Sequence, residues 1–166
     1  AGTEGLKYAA ARELGIIVME PLRGGNLGLP EPPPAIGSLW DQADTRRTPV
    51  EWALRWIWNH PQVAVILSGM NEDAHIDENL RIADEAAADS LSREELTLVD
   101  QAASTYKALM KVDCTGCGYC MPCPSDVHIP GCFEVYNKMH MFGNAQEGKF
   151  IYAIRMSGTI SGTPGY

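Results

Sequence analysis

Positive charge is scarce in this chain: thirteen lysines and arginines stand against twenty-one aspartates and glutamates, a formal net charge of -8. A surface of that sign repels a phosphate backbone, and no basic stripe interleaved with aromatic residues overrides it locally, which argues against nucleic acid as a partner. Long apolar runs are also missing. No uninterrupted stretch approaches the roughly 20 residues of a membrane span, and the N-terminus has no basic segment leading into an apolar one. We therefore expect a soluble, cytoplasmic protein with no membrane partner. Dispersed cysteines are the third absence. Four of the five fall within ten residues, which is metal-ligand clustering, not a disulfide framework, and it fits a reducing compartment.

What is present points elsewhere. With 166 residues and 45% hydrophobic content, the chain is long enough for one domain with a sizeable core, or one domain and an appendage. Cys114, Cys117, Cys120 and Cys123 recur every third residue and Pro124 closes the run, a spacing that suits an iron-sulfur cluster. Gly116 and Gly118 let a tight loop turn sulfurs inward from several sides. The competing reading is zinc, in a non-catalytic interaction module built on the same cysteines. Zinc sites, however, usually separate two Cys pairs by a dozen or so residues so that a tetrahedron can close. A third reading is an inert fragment with no cofactor.

Apolar spacing at Leu6, Ala9, Ala10 and Leu14 predicts an opening helix over residues 3 to 14, stopped by Gly15. Ile16 to Met19 reads as a parallel strand buried on both faces, followed by a loop from Pro21 to Leu27. Prolines 30, 32, 33 and 34 keep the chain irregular to about Ile36. Thr48-Pro49-Val50-Glu51 combines an N-cap, a proline at the first helical position and a glutamate three residues after the cap, so a helix starts there and runs to about Asn59. Val63 to Leu67 is a second buried strand, and Asn71 caps a helix carrying Ile76, Leu80 and Ile82. Ser92 to Glu95 is a further capping box, opening a helix with Leu96, Val99, Ala103 and Tyr106 on one face. Two strand-loop-helix units imply an α/β sheet whose ligands lie beyond the C-terminal ends of the strands. The loops there hold glycine pairs and small polar residues, but no complete GxGxxG or phosphate-loop signature.

Four segments together resemble the iron-sulfur branch of the aldo/keto reductases: GIIVMEPLRGGNL from Gly15, WALRW from Trp52, HPQVAVILSGMNEDAHIDEN from His60, and CTGCGYCMPCP from Cys114. The resemblance implies the last two βα units of a (β/α)8 TIM-type barrel over residues 1 to 110. A mainly helical, ferredoxin-like iron-sulfur segment would follow over 111 to 166. The family's Asp, Tyr, Lys and His tetrad lies on earlier strands, so no catalytic residue is expected here and the chain alone should not reduce carbonyls. None of Tyr8, Tyr106, Tyr119, Tyr136, Tyr152 and Tyr166 matches that motif.

The nucleotide site implied by the family comprises Pro21, Leu22, Gly24 and Gly25 after the seventh strand. After the eighth come Ser68, Gly69, Met70, His75, Glu78 and Asn79. NADP(H), or NAD, would bind there, although many relatives carry arginine where His75 stands. Cys114, Cys117, Cys120 and Cys123 would hold a 4Fe-4S cluster. The family's second cysteine motif is missing, so the fourth ligand would come from Cys123 or Cys132. Two barrel units leave strand edges open, which implies association with the missing part of the barrel or with another copy, besides a redox partner protein. Taken without the resemblance, Gly24 and Gly25 are turn glycines, His75 and Asn79 are solvated helix residues, and Trp52, Trp56 and Trp58 are packing.

Overall fold

A computed structural model describes residues 2–157; Tyr166 and the remainder of the 111 to 166 segment past Ser157 lie outside the described residues. Two compact units divide the chain, Ala1–Gln101 and Ala102–Tyr166. The described residues form a mixed α/β structure of seven helices and one two-stranded parallel sheet. No helix among them is long and apolar enough to cross a membrane.

In the first unit, helix α1 (Thr3–Ala10) ends earlier than its apolar spacing predicts. Leu14 N–H donates to Ala9 C=O at 3.2 Å and Glu13 N–H to Ala10 C=O at 2.9 Å, the paired bonds of a Schellman stop. The left-handed residue of that stop is Glu13, at φ 55, and not Gly15. Strand β1 (Ile16–Val18) follows and pairs in parallel with β2 (Val63–Ile66). Ile17 lies opposite Val65 and Val18 opposite Ile66, with an irregularity between Ile16 and Ile17.

Burial on both faces is not what the sheet shows. Ile17, Met19, Val65 and Leu67 are 60%, 71%, 41% and 48% exposed, whereas Val63 is 8% exposed and Ile16, Val18 and Ile66 are half-buried. Strand side chains alternate between faces, and the register irregularity sets Val63 opposite Ile16, among the less exposed side chains, and Val65 opposite Ile17, among the exposed ones.

Between the strands lie a short 3-10 turn (Asn26–Gly28), α2 (Pro34–Trp40) and α3 (Pro49–Trp58). The sequence treated the proline-rich stretch as irregular. Yet Pro34 occupies the first turn of α2, where a missing N–H costs nothing, and Ile36 is fully buried. Thr48 caps α3 as expected, its Oγ1 accepting from Glu51 N at 3.0 Å. The other half of the box does not close. Instead Glu51, 7% exposed, accepts from Arg55 Nε at 2.7 Å and Arg81 Nη2 at 2.9 Å, and lies 3.8 Å from Arg47 Nε. Arg81 belongs to α4 (Asp73–Glu85), so this carboxylate ties α3 to α4. Helix α5 (Arg93–Ala108) starts at the predicted box, with Glu95 N to Ser92 Oγ at 3.2 Å and Ser92 N to Glu95 Oε2 at 2.8 Å. Its buried residue is Ala102 and not Ala103, which is exposed.

Burial opposes ionisation of Glu51, but hydrogen bonds and charge from Arg81 and Arg55 outweigh it and hold the carboxyl below its ordinary value. A lowered folded pKa contributes stability that is present above the ordinary value of 4.5 and lost as pH falls through the folded value. Glu51→Gln should therefore cost about 2 kcal/mol at neutral pH, below the roughly 3–5 of a fully buried pair because part of the network is solvated. The difference from the parent should shrink below about pH 4. Urea unfolding at both pH values checks this; a pH-independent difference would contradict it.

In the second unit, α6 (Ile129–Phe142) and α7 (Ala145–Arg155) pack against each other. Gly143, at φ 68, ends α6, a conformation glycine adopts without strain. Asn144 Oδ1 accepts from Glu147 N at 3.0 Å and starts α7. A Cβ on Gly148 would sit 2.0 Å from Met139 Cγ, so any larger residue would force the Met139 side chain to move. Val135, Met141 and Phe142 are buried there, and Phe142 meets Tyr106 at 5.4 Å between ring centroids.

Candidate functional site

Parallel pairing sends the chain out of β1 and β2 at the same end of the sheet, so both loops singled out from the sequence emerge together there. Pairing reaches Leu67, whose N–H donates to Val18 C=O at 2.9 Å. After β1 the backbone is unusual. Glu20, Arg23, Gly24 and Gly25 have φ of 54, 52, 69 and 88, four left-handed residues within six. For Glu20 and Arg23 that conformation carries strain, and such strain concentrates at ligand sites. Leu27 N to Leu22 O at 3.0 Å and Asn26 Nδ2 to Arg23 O at 2.9 Å hold the loop. Asn26 is buried, Pro21 and Leu22 are half-buried, and Gly24 and Gly25 are exposed.

After β2, Asn79 Nδ2 donates to Ser68 Oγ at 3.0 Å, joining two of the expected residues. Glu78 accepts from Thr48 Oγ1 at 2.7 Å, which couples α4 to the cap of α3. Gly69, Met70 and His75 are exposed. The N-cap position of α4 is Glu72, not Asn71, with no side-chain cap bond, and Asp73 stands in the first turn. Two carboxylates thus flank a helix end that an anion would otherwise favour, which opposes a phosphate there.

The cysteine run occupies an irregular segment between α5 and α6. Gly116 and Gly118 adopt left-handed φ of 69 and 76, as a tight loop requires. Cys117 and Cys120 are exposed; Cys114, Cys123 and Cys132 are half-buried. Hydrogen bonds from Tyr119 N–H, the Thr115 hydroxyl and its own N–H outweigh desolvation and lower the Cys117 thiol pKa. That environment favours the thiolate, the form that ligates metals.

Both ends of this segment are anchored. At its entry, Asn137, 6% exposed, accepts from Lys111 N at 2.9 Å and Val112 N at 3.0 Å and donates to Val112 O at 2.7 Å. At its exit, His128 Nδ1 accepts from Gly131 N at 3.1 Å and caps α6. Neither anchor is marked in the sequence, because Asn137 stands among Glu134, Lys138 and His140 on the same helix. Among the described residues, no group of three or more His, Cys, Asp or Glu side chains is placed to hold a metal ion. Four thiols in one irregular segment fit an iron-sulfur group in donor chemistry, while their arrangement does not surround a common centre. No protein-family model, no curated protein and no solved structure matches the chain.

Proposed function

We propose that the chain is the C-terminal, cofactor-binding and electron-transfer part of an NAD(P)H-dependent oxidoreductase of the iron-sulfur aldo/keto reductase type. In this reading β1 and β2 are the seventh and eighth strands of a (β/α)8 barrel and residues 111 to 166 are a ferredoxin-like segment. The observation that carries it is the cysteine loop, with four thiols in ten residues, two left-handed glycines among them, and an anchor at each end. Cys114, Cys117 and Cys120 would hold a 4Fe-4S cluster together with Cys123 or Cys132. When bound, that group supplies one-electron transfer. Metal binding couples to folding of the ligand segment, so the loop from Lys111 to His128 would close on binding.

The chain's own residues then divide the remaining work. Ser68 and Asn79 orient the adenosine end of a nicotinamide nucleotide through polar contacts, while Gly24 and Gly25 let backbone approach its pyrophosphate. Glu72 and Asp73 work against a 2'-phosphate, so NADPH should gain less than tenfold over NADH. The exposed apolar face of Ile17, Met19, Val65 and Leu67 supports an assembly in which earlier barrel strands or a second copy cover it. Carbonyl reduction would require that assembly, with its tetrad, and a redox partner protein would exchange electrons with the cysteine segment.

Calorimetric titration with NADH and NADPH tests the nucleotide half. Asn79→Ala should weaken binding by about three- to tenfold, the worth of one polar contact. Absence of saturable binding in the parent chain would remove this half of the reading.

A further inference from the structure

Helices α6 and α7, with Val112, border an open groove of about 590 Å³. Its walls are largely apolar: Met139 and Val112 contribute aliphatic surface, and Phe133, Tyr136 and Tyr152 are 37%, 45% and 49% exposed. That is a large amount of aromatic surface left in water for a two-helix unit. A single charged residue, Lys149, lies on the lining. Its ammonium has no ion pair or hydrogen bond among the described residues. The nearby Lys138, by contrast, is 2.8 Å from Glu134. An apolar trough within the roughly 300–1,000 Å³ of small-molecule sites, with one cationic residue on its lining, is the form such sites take.

We propose that this groove binds a single-chain amphiphilic carboxylate of medium length, its hydrocarbon along the aromatic wall and its carboxylate on Lys149. The chemistry follows from the lining. Burying the chain removes apolar surface of both ligand and protein from water. The lone ammonium selects a monoanion and disfavours a cationic head. A bulky two-tailed lipid is disfavoured by the groove's volume. This inference goes beyond the oxidoreductase reading and needs neither nucleotide nor metal; Cys132, a candidate fourth cluster ligand, also lines the groove, but Lys149 and Phe133 have no part in that reading, so variants at these two positions test the groove separately.

The test is calorimetry on the full chain with decanoate, decanol and decyltrimethylammonium, all below their aggregation limits. Decanoate should bind saturably, one per chain, and tighten about two- to fourfold for each added methylene from octanoate to dodecanoate. Lys149→Gln lies on an exposed helix position, so folding should be retained. It should weaken decanoate about five- to tenfold and leave decanol unchanged. Phe133→Ser, also at an exposed position, should weaken all three ligands through the wall itself. Equal binding of decanoate and decyltrimethylammonium, an unchanged decanoate affinity in Lys149→Gln, or no saturable binding would each overturn the proposal.

Discussion

Serine in place of Cys117 should abolish incorporation of iron and sulfide during anaerobic reconstitution, and serine at Cys114 or Cys120 should do the same. Thiolates, not hydroxyls, hold such clusters, and each of these three would supply one. The sulfur of Cys117 already receives hydrogen bonds from Tyr119 N–H and the Thr115 hydroxyl, which favour its thiolate. Cys123 and Cys132 divide the remaining position. Whichever of Cys123→Ser and Cys132→Ser loses the cluster identifies the fourth ligand; loss only in the double variant would mean that the two substitute for each other, and retention in the double variant would mean that neither supplies it. Asn137→Ala supplies a control of a different kind. It frees the entry of the loop by removing three hydrogen bonds to Lys111 and Val112, so reconstitution should slow while the ligand set stays intact.

The second large effect concerns the fold. Trp52→Ala should destabilise the chain by about 4 kcal/mol, the upper range for emptying a buried aromatic site. Trp52 is 1% exposed, stacks on Trp40 with centroids 4.8 Å apart, and carries the Arg47 guanidinium 4.7 Å from its ring. Removing it loses apolar burial, an aromatic pair and a cation-π contact together. Trp52→Phe should cost only about 1 kcal/mol, because the indole N–H has no hydrogen-bond partner among the described residues. Guanidinium unfolding of both variants checks this. Similar losses in the two would mean that the indole N–H matters and the stacking does not.

Where one residue governs its own neighbours, the sequence was easy to read. Ser92 and Glu95 satisfy each other across one turn, and Thr48 caps α3 as its position before Pro49 indicated. Both strands lie where β-branched runs placed them, and they pair in parallel. Long-range partners were not readable. Glu51 fits a capping box locally, yet Arg81, thirty positions away, competes for its carboxylate with a charge-assisted hydrogen bond. Ala102 and Ala103 are indistinguishable by composition, and only packing chose between them.

Departures near the candidate site have a different cause. Glu13, Glu20 and Arg23 adopt left-handed backbone that no propensity assigns to them. Asn137 reads as an ordinary helix asparagine until its three bonds to the preceding segment are seen. As for the cysteines, spacing specifies the donors but not their common centre, since closing a loop around an ion depends on the ion.

The most direct measurement is anaerobic reconstitution followed by iron, acid-labile sulfide and zinc analysis with a visible spectrum. Brown protein that bleaches on reduction is expected, with iron and sulfide in equal amounts and zinc absent. Colourless protein carrying stoichiometric zinc on the same four cysteines would contradict the iron-sulfur reading.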